Sequence, residues 1–339
     1  MALRLLEMIL PEEQGQKAHH VLQGQDVLGV WQESLWNQQL LVKVLFPVEA
    51  GEAVLDLLDK HFSLAKGFRI ILLPVEASLP RPEQPEEAAS TQTEAQFAQD
   101  SENQVARISR EELYAHITET IDLSWIYFTL VILSAIVAAV GLIHDNMTVI
   151  IGAMVIAPLL GPNVALSLAT TLGDTDLALR ALKAGVVGVL TAFVFSLLAG
   201  FAFHVNPQAQ EIASRTTVSL GDVVLALASG VAGALSFTTG VPTSLIGVMV
   251  AVALLPPLIT VGMLLGQGHW PEAGGALMLV LTNVICVNLA GVITFLIQGI
   301  RPRTWWEADK AKKATRLAIV LWASLLVVLI GIILLSRRS

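Results

Sequence analysis

Charge is scarce in this chain of 339 residues: Asp, Glu, Lys and Arg together make up 14% of it. Cysteine occurs once, at Cys286. A single thiol excludes a disulfide within the chain and leaves a cysteine-based metal site without ligands. Cys286 lies inside a hydrophobic run and reads as a small packing residue. The net charge is −8 and no basic face is present to neutralise phosphates, so no nucleic-acid partner is expected. An HExxH zinc motif, a GxSxG elbow, a Walker A loop and paired aspartates inside apolar runs are all missing. No catalytic residue, metal site or cofactor is expected, and the chain does not read as an enzyme. A primary pump would need a separate subunit to supply the energy. The N-terminus has no basic segment followed by an apolar core, so no cleaved signal peptide is expected. What abounds is carbon. Hydrophobic residues make up 54% of the chain, a composition that fits an integral membrane protein.

The chain is organised around Ile151-Gly152-Ala153-Met154-Val155-Ile156-Ala157-Pro158-Leu159-Leu160-Gly161-Pro162. This stretch is apolar enough for lipid, yet Pro158, Gly161 and Pro162 interrupt it. Proline lacks a backbone N–H and clashes with the preceding turn, so a helix here must kink or break. In lipid the freed backbone groups need partners. The pattern recurs at a constant offset of 95 residues in Ile246–Pro257, which matches at seven of twelve positions without a gap. The same offset pairs Thr148 with Thr243, Leu130 with Leu225 and Gly173 with Gly268. The chain thus reads as two copies of one unit, each with a broken hydrophobic helix. Paired interruptions of this kind point to a transport site. Taken singly, a proline kink in a membrane helix is common and needs no function.

Residues 1–79 read as a soluble α+β domain with the order β-α-β-β-α-β, a ferredoxin-like sandwich. Strands are expected over Leu3–Ile9, Asp26–Gln32, Gln39–Phe46 and Phe68–Val75. One helix should open at Pro11-Glu12-Glu13, and a second should run over Val48–Phe62. Domains of this kind bind ligands or pair with their own copies, and fold alone does not say which. His19 and His20 are adjacent and diverge on a helix, which argues against a metal site. Residues 80–108 are rich in Pro, Glu, Gln, Ala, Ser and Thr and read as a disordered linker. Ser109-Arg110-Glu111-Glu112 fits a capping box, so a juxtamembrane helix is expected over 109–123, running directly into the membrane. It would carry position from the soluble domain to the first span.

Seven hydrophobic segments follow, near 125–143, 148–172, 181–203, 218–238, 243–266, 273–298 and 314–335. Each is close to the roughly 20 residues that cross about 30 Å of hydrocarbon. Trp125, Trp270, Trp305 and Trp306 lie at segment ends, where indoles prefer the interface. Arg301, Arg303, Lys310, Lys312, Lys313 and Arg316 mark the loop before the last segment as cytoplasmic. Counting back six spans places the N-terminal domain in the cytoplasm too, and Arg180 and Lys183 agree. Arg337-Arg338 dissents, and the final segment could instead be a hairpin or lie on the surface. Three spans per copy make the second copy enter from the opposite side. The membrane domain, 124–300, is therefore expected to be an inverted 3+3 repeat of 125–203 and 220–298, with 301–339 as basic loop and seventh helix. Inverted repeats with broken helices are the architecture of many secondary transporters.

No ionised side chain lies deep in these segments; His144 and Asp145 occupy the link between the first two. The deep polar groups are neutral: Asn163, Ser167, Thr260, Asn283 and Asn288 among them. They read equally as interhelical glue or as the lining of a site. Helix N-termini at the breaks would suit an anionic group, and exposed carbonyls a cation or a neutral polar molecule. Asp145 to Pro162, Gly247 to Pro257, and Asn283 with Asn288 resemble the DUF389 family of prokaryotic membrane proteins, over about residues 120–300. The resemblance implies a membrane fold and carries over no residue roles. The expected substrate-binding residues are Asp145, Pro158, Gly161, Pro162, Asn163, Pro256, Pro257, Thr260, Asn283 and Asn288, gathered near the membrane midplane. The chain reads as a multi-pass protein of the prokaryotic inner membrane that transports a small polar or anionic solute or ion, and a homo-oligomer is compatible with this. A channel with the same site, or a membrane-anchored sensor or scaffold acting through the N-terminal domain, are the rivals.

Overall fold

The computed structural model describes residues 3–36, 38–65, 67–75, 78, 108–239, 243–301, 316 and 318–331, with the backbone alone for 243–253. The expected linker up to 107, the basic loop after Arg301 and the ends of the seventh segment lie outside the described residues. The chain divides into two compact units, Met1–Leu113 and Tyr114–Ser339.

The first unit is built on alternation. In β1 (Leu3–Pro11), Leu6, Met8 and Leu10 point to one face and are fully buried. In β3 (Gln39–Pro47), Val42, Val44 and Phe46 do the same. A period of two places alternate residues on opposite faces of a strand. With β2 (Gly29–Leu35) and β4 (Arg69–Val75) they form an antiparallel sheet of order β2-β3-β1-β4. Helices α1 (Gly15–Leu22) and α2 (Gly51–Phe62) set Ala18, Leu22, Val54, Leu55, Leu58 and Phe62 in the same core as that inner face. The element order β-α-β-β-α-β agrees with the sequence; the helix starts do not. Glu12–Gln14 and Val48–Ala50 are 3-10 turns, so each α-helix begins only at the glycine that follows. The second strand starts at Gly29 rather than Asp26, because Gln25–Val27 close a turn through the Val27 N–H to the Gln25 carbonyl. Glu112 is joined to β1 through a two-pronged pair with Arg4, at 2.8 and 3.1 Å.

At the division between the units, α3 (Arg110–Thr120) opens as expected, with the Glu112 N–H donating to the Ser109 hydroxyl at 3.2 Å. It does not run on into the membrane. The helix ends at Thr120, and Ser124 caps a new helix by accepting from the Tyr127 N–H. Such a cap is worth about 1 kcal/mol. That helix is α4 (Trp125–Ile143), followed by α5 (Met147–Ile156), α6 (Leu160–Leu172), α7 (Thr175–Ala202), the short α8 (Gln210–Ala213), α9 (Leu220–Thr239), α10 (Thr243–Gly266) and α11 (Trp270–Ile297). A last helix, α12, is described over Ala318–Gly331. Among the described residues, α4, α7, α9 and α11 are each long and apolar enough to cross a membrane, and α5 with α6 makes a fifth candidate.

The expected break in the second copy is absent. Pro256 and Pro257 lie inside the continuous helix α10. Packing overrides the local cost: both prolines and the neighbouring Leu254, Leu255, Leu258 and Ile259 are buried, and α10 packs on α4, α5, α6, α7, α9 and α11. The α7–α10 seam is lined with small residues, which let backbones approach closely. A methyl group on Gly266 would lie 2.7 Å from the Leu197 carbonyl, and one on Gly262 would strike the Ser196 hydroxyl. Gly262→Ala should therefore destabilise the purified protein by about 1–3 kcal/mol in thermal unfolding. Adding Ser196→Gly should recover most of that loss. Simple additivity of the two losses would contradict the contact.

Candidate functional site

The break in the first copy is sharp. Ala157 is extended, at φ −67° and ψ 120°, as a residue before proline must be. Across Ala157–Leu159 the axes of α5 and α6 bend by 52°. Pro162 falls in the first turn of α6, where an N–H would lack a helical partner in any case. No side chain of the cap residue Leu159 satisfies the new helix start. Asn163 reaches back along the first turn and donates from Nδ2 to the Leu159 carbonyl at 2.9 Å.

Asn163 is also the hub of a bridge to α11. Its Oδ1 accepts from Asn288 Nδ2 at 2.9 Å, and the same Asn288 nitrogen donates to the Val284 carbonyl at 2.9 Å. The Ser167 hydroxyl donates to the Asn163 carbonyl at 3.0 Å, with the carbonyl and Oδ1 of Asn288 at 3.3 and 3.4 Å. Asn288 is fully buried and Ser167 nearly so. A buried amide without such partners would cost several kcal/mol in lipid.

Beside this bridge lies a cavity of about 280 Å³. Leu159, Pro162 and Asn163 line it from the break, Leu254 and Leu258 from α10, and Val280 and Val284 from α11. Its wall is almost wholly carbon, with Asn163 its one polar side chain apart from the Trp322 indole. On one side it reaches Leu182, Val186 and Leu190, which are about half exposed on the outer surface of the bundle.

The expected site residues separate into those that meet here and those that do not. Pro162, Asn163 and Asn288 converge, with Pro158 in the turn beside them. Gly161 faces away: a methyl group on it would meet the side chain and carbonyl of Thr120 at the end of α3, 2.6–3.0 Å away. Pro256 and Pro257 lie between the cavity residues Leu254 and Leu258. Thr260 and Asn283 are buried but do not line the cavity, and the Thr260 hydroxyl has no hydrogen-bond partner. Asp145 lies elsewhere. It sits beyond the far end of α4 with a left-handed φ of 51° and accepts the Glu211 N–H of α8 at 2.7 Å. It is a loop brace. Leu159 meets Gly188 together with the hydroxyl of Tyr127, in the first turn of α4. The break therefore lies at the level where α4 begins, and Asp145 follows the opposite end of α4.

The structure also adds residues that the sequence did not mark. The chain has two tyrosines, and both tie down the first half of α7. Tyr127 donates to the Ala184 carbonyl at 3.0 Å. Tyr114 donates to Asp174 at 3.0 Å, while the other Asp174 oxygen caps α7 at the Leu177 N–H. Two phenols against eleven phenylalanines was the available signal that a hydroxyl is needed there. Small residues add another. Ser167 packs on Gly291 and Ser196 on Gly262, and the 95-residue offset exchanges one contact for the other.

A relative from Methanocaldococcus jannaschii, Uncharacterized protein MJ0678, is 32% identical over 98% of this chain and 99% of its own length. The family described as a domain of unknown function, DUF389, matches residues 154–289. The chain belongs to the DUF389 family. The matched stretch of this DUF389 protein opens at Met154, just before the break, and closes at Leu289, just after Asn288. It therefore holds the whole Asn163–Ser167–Asn288 bridge. No solved structure matches the chain.

Two outcomes test this geometry. Asn163→Ala and Asn288→Ala should each destabilise the DUF389 protein. Their double mutant should lose less than the sum, with a coupling of about 0.6–2 kcal/mol in thermal unfolding. Burial, and then the hydrogen bond to Asp174, raise the pKa of Tyr114 above its ordinary 10.0. The bonded phenol thus favours the fold below that pH, and the benefit fades as pH rises through the raised value. The stability gap between wild type and Tyr114→Phe should be constant below pH 10 and close above it. A gap that closes near neutrality would contradict this assignment.

Proposed function

We propose that this DUF389 protein is a multi-pass transport protein of the prokaryotic inner membrane, with its solute site in the cavity beside the Ala157–Leu159 break. In this proposal seven spans comprise two inverted three-span halves and a final helix. The ferredoxin-like N-terminal domain and the loop after Arg301 are cytoplasmic. The observation that carries it is a bent span that opens onto a cavity, with Asn163 in the first turn of α6 lining that cavity. The exchange of the Ser167–Gly291 and Ser196–Gly262 contacts at one offset supports the two halves. So does the packing, since α6 meets α11 as α10 meets α7, and α4 meets α7 as α9 meets α11.

The lining narrows the solute. No ionised side chain lines the cavity, and burying a charge against carbon is costly without a partner. A small, mostly apolar or neutral molecule with one hydrogen-bonding group fits better than a bare ion. The partial positive charge at the start of α6 and the Asn163 amide would receive that group. One observation favours the rival anchor or sensor: Asn163, Ser167 and Asn288 satisfy one another, as packing residues would.

Cysteine accessibility separates the two. Cys286 is replaced by Ala, and single cysteines are placed at Leu258 in the cavity and at Ala226, buried in the α9–α11 core, as control. For the transporter, a membrane-impermeant thiol reagent should modify Leu258→Cys at least about tenfold faster than the control, at a rate that depends on side or conditions. Equal, slow labelling of both in folded protein would overturn transport and leave the anchor.

A further inference from the structure

We propose that the outer face of the N-terminal sheet is a docking surface for a second copy of this chain, arranged about a two-fold axis. Both helices of the first unit lie on the inner face of the sheet. On the outer face, the strand register places Leu5, Ile9, Leu41, Leu45, Ile71 and Leu73 side by side. None of them is fully buried, and Ile71 and Leu73 are each 39% exposed. Trp31 on the edge strand lies on the same face, directly across from Lys43, and is 53% exposed. A soluble sheet with one solvated face normally makes that face polar. Here Ile71, Leu73 and the Trp31 indole are exposed, and the other four aliphatic side chains are partly so.

The charges on this face identify the occupant. Glu7 and Lys43 are exact cross-strand partners in the register, at the centre of the apolar field, with Nζ and Oε1 at 3.5 Å. A two-fold axis lying between the two sheets, parallel to the strands and midway between these two residues, lays Glu7 of each copy over Lys43 of the other. The face is thus complementary to itself, as a symmetric interface requires. Glu33 and Arg69 on the same face complete a balance of two acids and two bases. A membrane surface would call for an excess of Lys and Arg, which is missing here. From a strand spacing of about 4.8 Å and a rise of about 3.3 Å per residue, the face measures about 19 by 23 Å. That footprint suits a modest interface.

The test uses the full chain in nanodiscs or detergent and reads association of differently tagged copies by co-purification and sedimentation. Glu7→Lys alone and Lys43→Glu alone each set like charges against the partner and should weaken self-association at least about tenfold in Kd. Mixed together, the two variants again oppose unlike charges across the axis, although each chain has lost its own internal pair. Mixing should restore association to near wild type, which also shows that the single variants are folded. Three results would overturn the proposal: a wild-type chain that stays monomeric at micromolar concentration, association that both reversals leave unchanged, or weakened association that mixing does not restore. The first of these would assign the face to lipid or to the rest of the chain.

Discussion

In hydrocarbon, a backbone amide or carbonyl without a partner costs several kcal/mol, and that constraint governs what the second hydrophobic segment of this chain can do. Pro158 cannot donate, and it forces Ala157 out of the helical region. The segment has to end one helix and begin another inside the bundle. The Asn163 side chain folds back from the first turn of the new helix and donates to the Leu159 carbonyl. Asn163 is in turn fixed by Asn288, and both by Ser167, so the break is fastened to α11. The cavity beside the bend sits where this fastening holds the helices apart.

The two copies meet the same constraint with different solutions. In the first, Pro158 ends one helix at Ile156, and Ala157–Leu159 turn the chain before the next begins at Leu160. In the second, adjacent Pro256 and Pro257 are enclosed by helices on several sides and the helix passes through them. Local sequence similarity at seven of twelve positions is therefore compatible with one bent span and one continuous one. The asymmetry leaves the cavity with one wall from the continuous helix α10 and another from the break and α6.

Much of this was legible in the residues. The first strand was legible as the apolar run Leu3–Ile9, and Ser109 with Glu112 marked the start of α3. Pro158 and Gly161 located the bend, and Asn163 and Asn288 stood out as deep polar groups able to bond across helices. Depth was not legible. Hydropathy gives the length of a segment but not the level at which its break lies, and only the neighbours Tyr127 and Thr120 place it where α4 begins. Nor was the role of Asp145, because a carboxylate in a tight link reads as functional until its Glu211 partner, 66 residues away, is seen. The α10 prolines failed for the same reason: propensity is local, and the packing that overrode it comes from six other helices.

The central claim is that the start of α6 is an opening in the bundle that solvent can reach, not merely a kink. Hydrogen exchange of the Leu160 and Gly161 amides, measured with the full chain in nanodiscs, tests it most directly. The account predicts that these two amides exchange far faster than those of Val284 to Asn288, which lie across the cavity in continuous helix. Equal protection at both places would show a sealed joint and contradict the account.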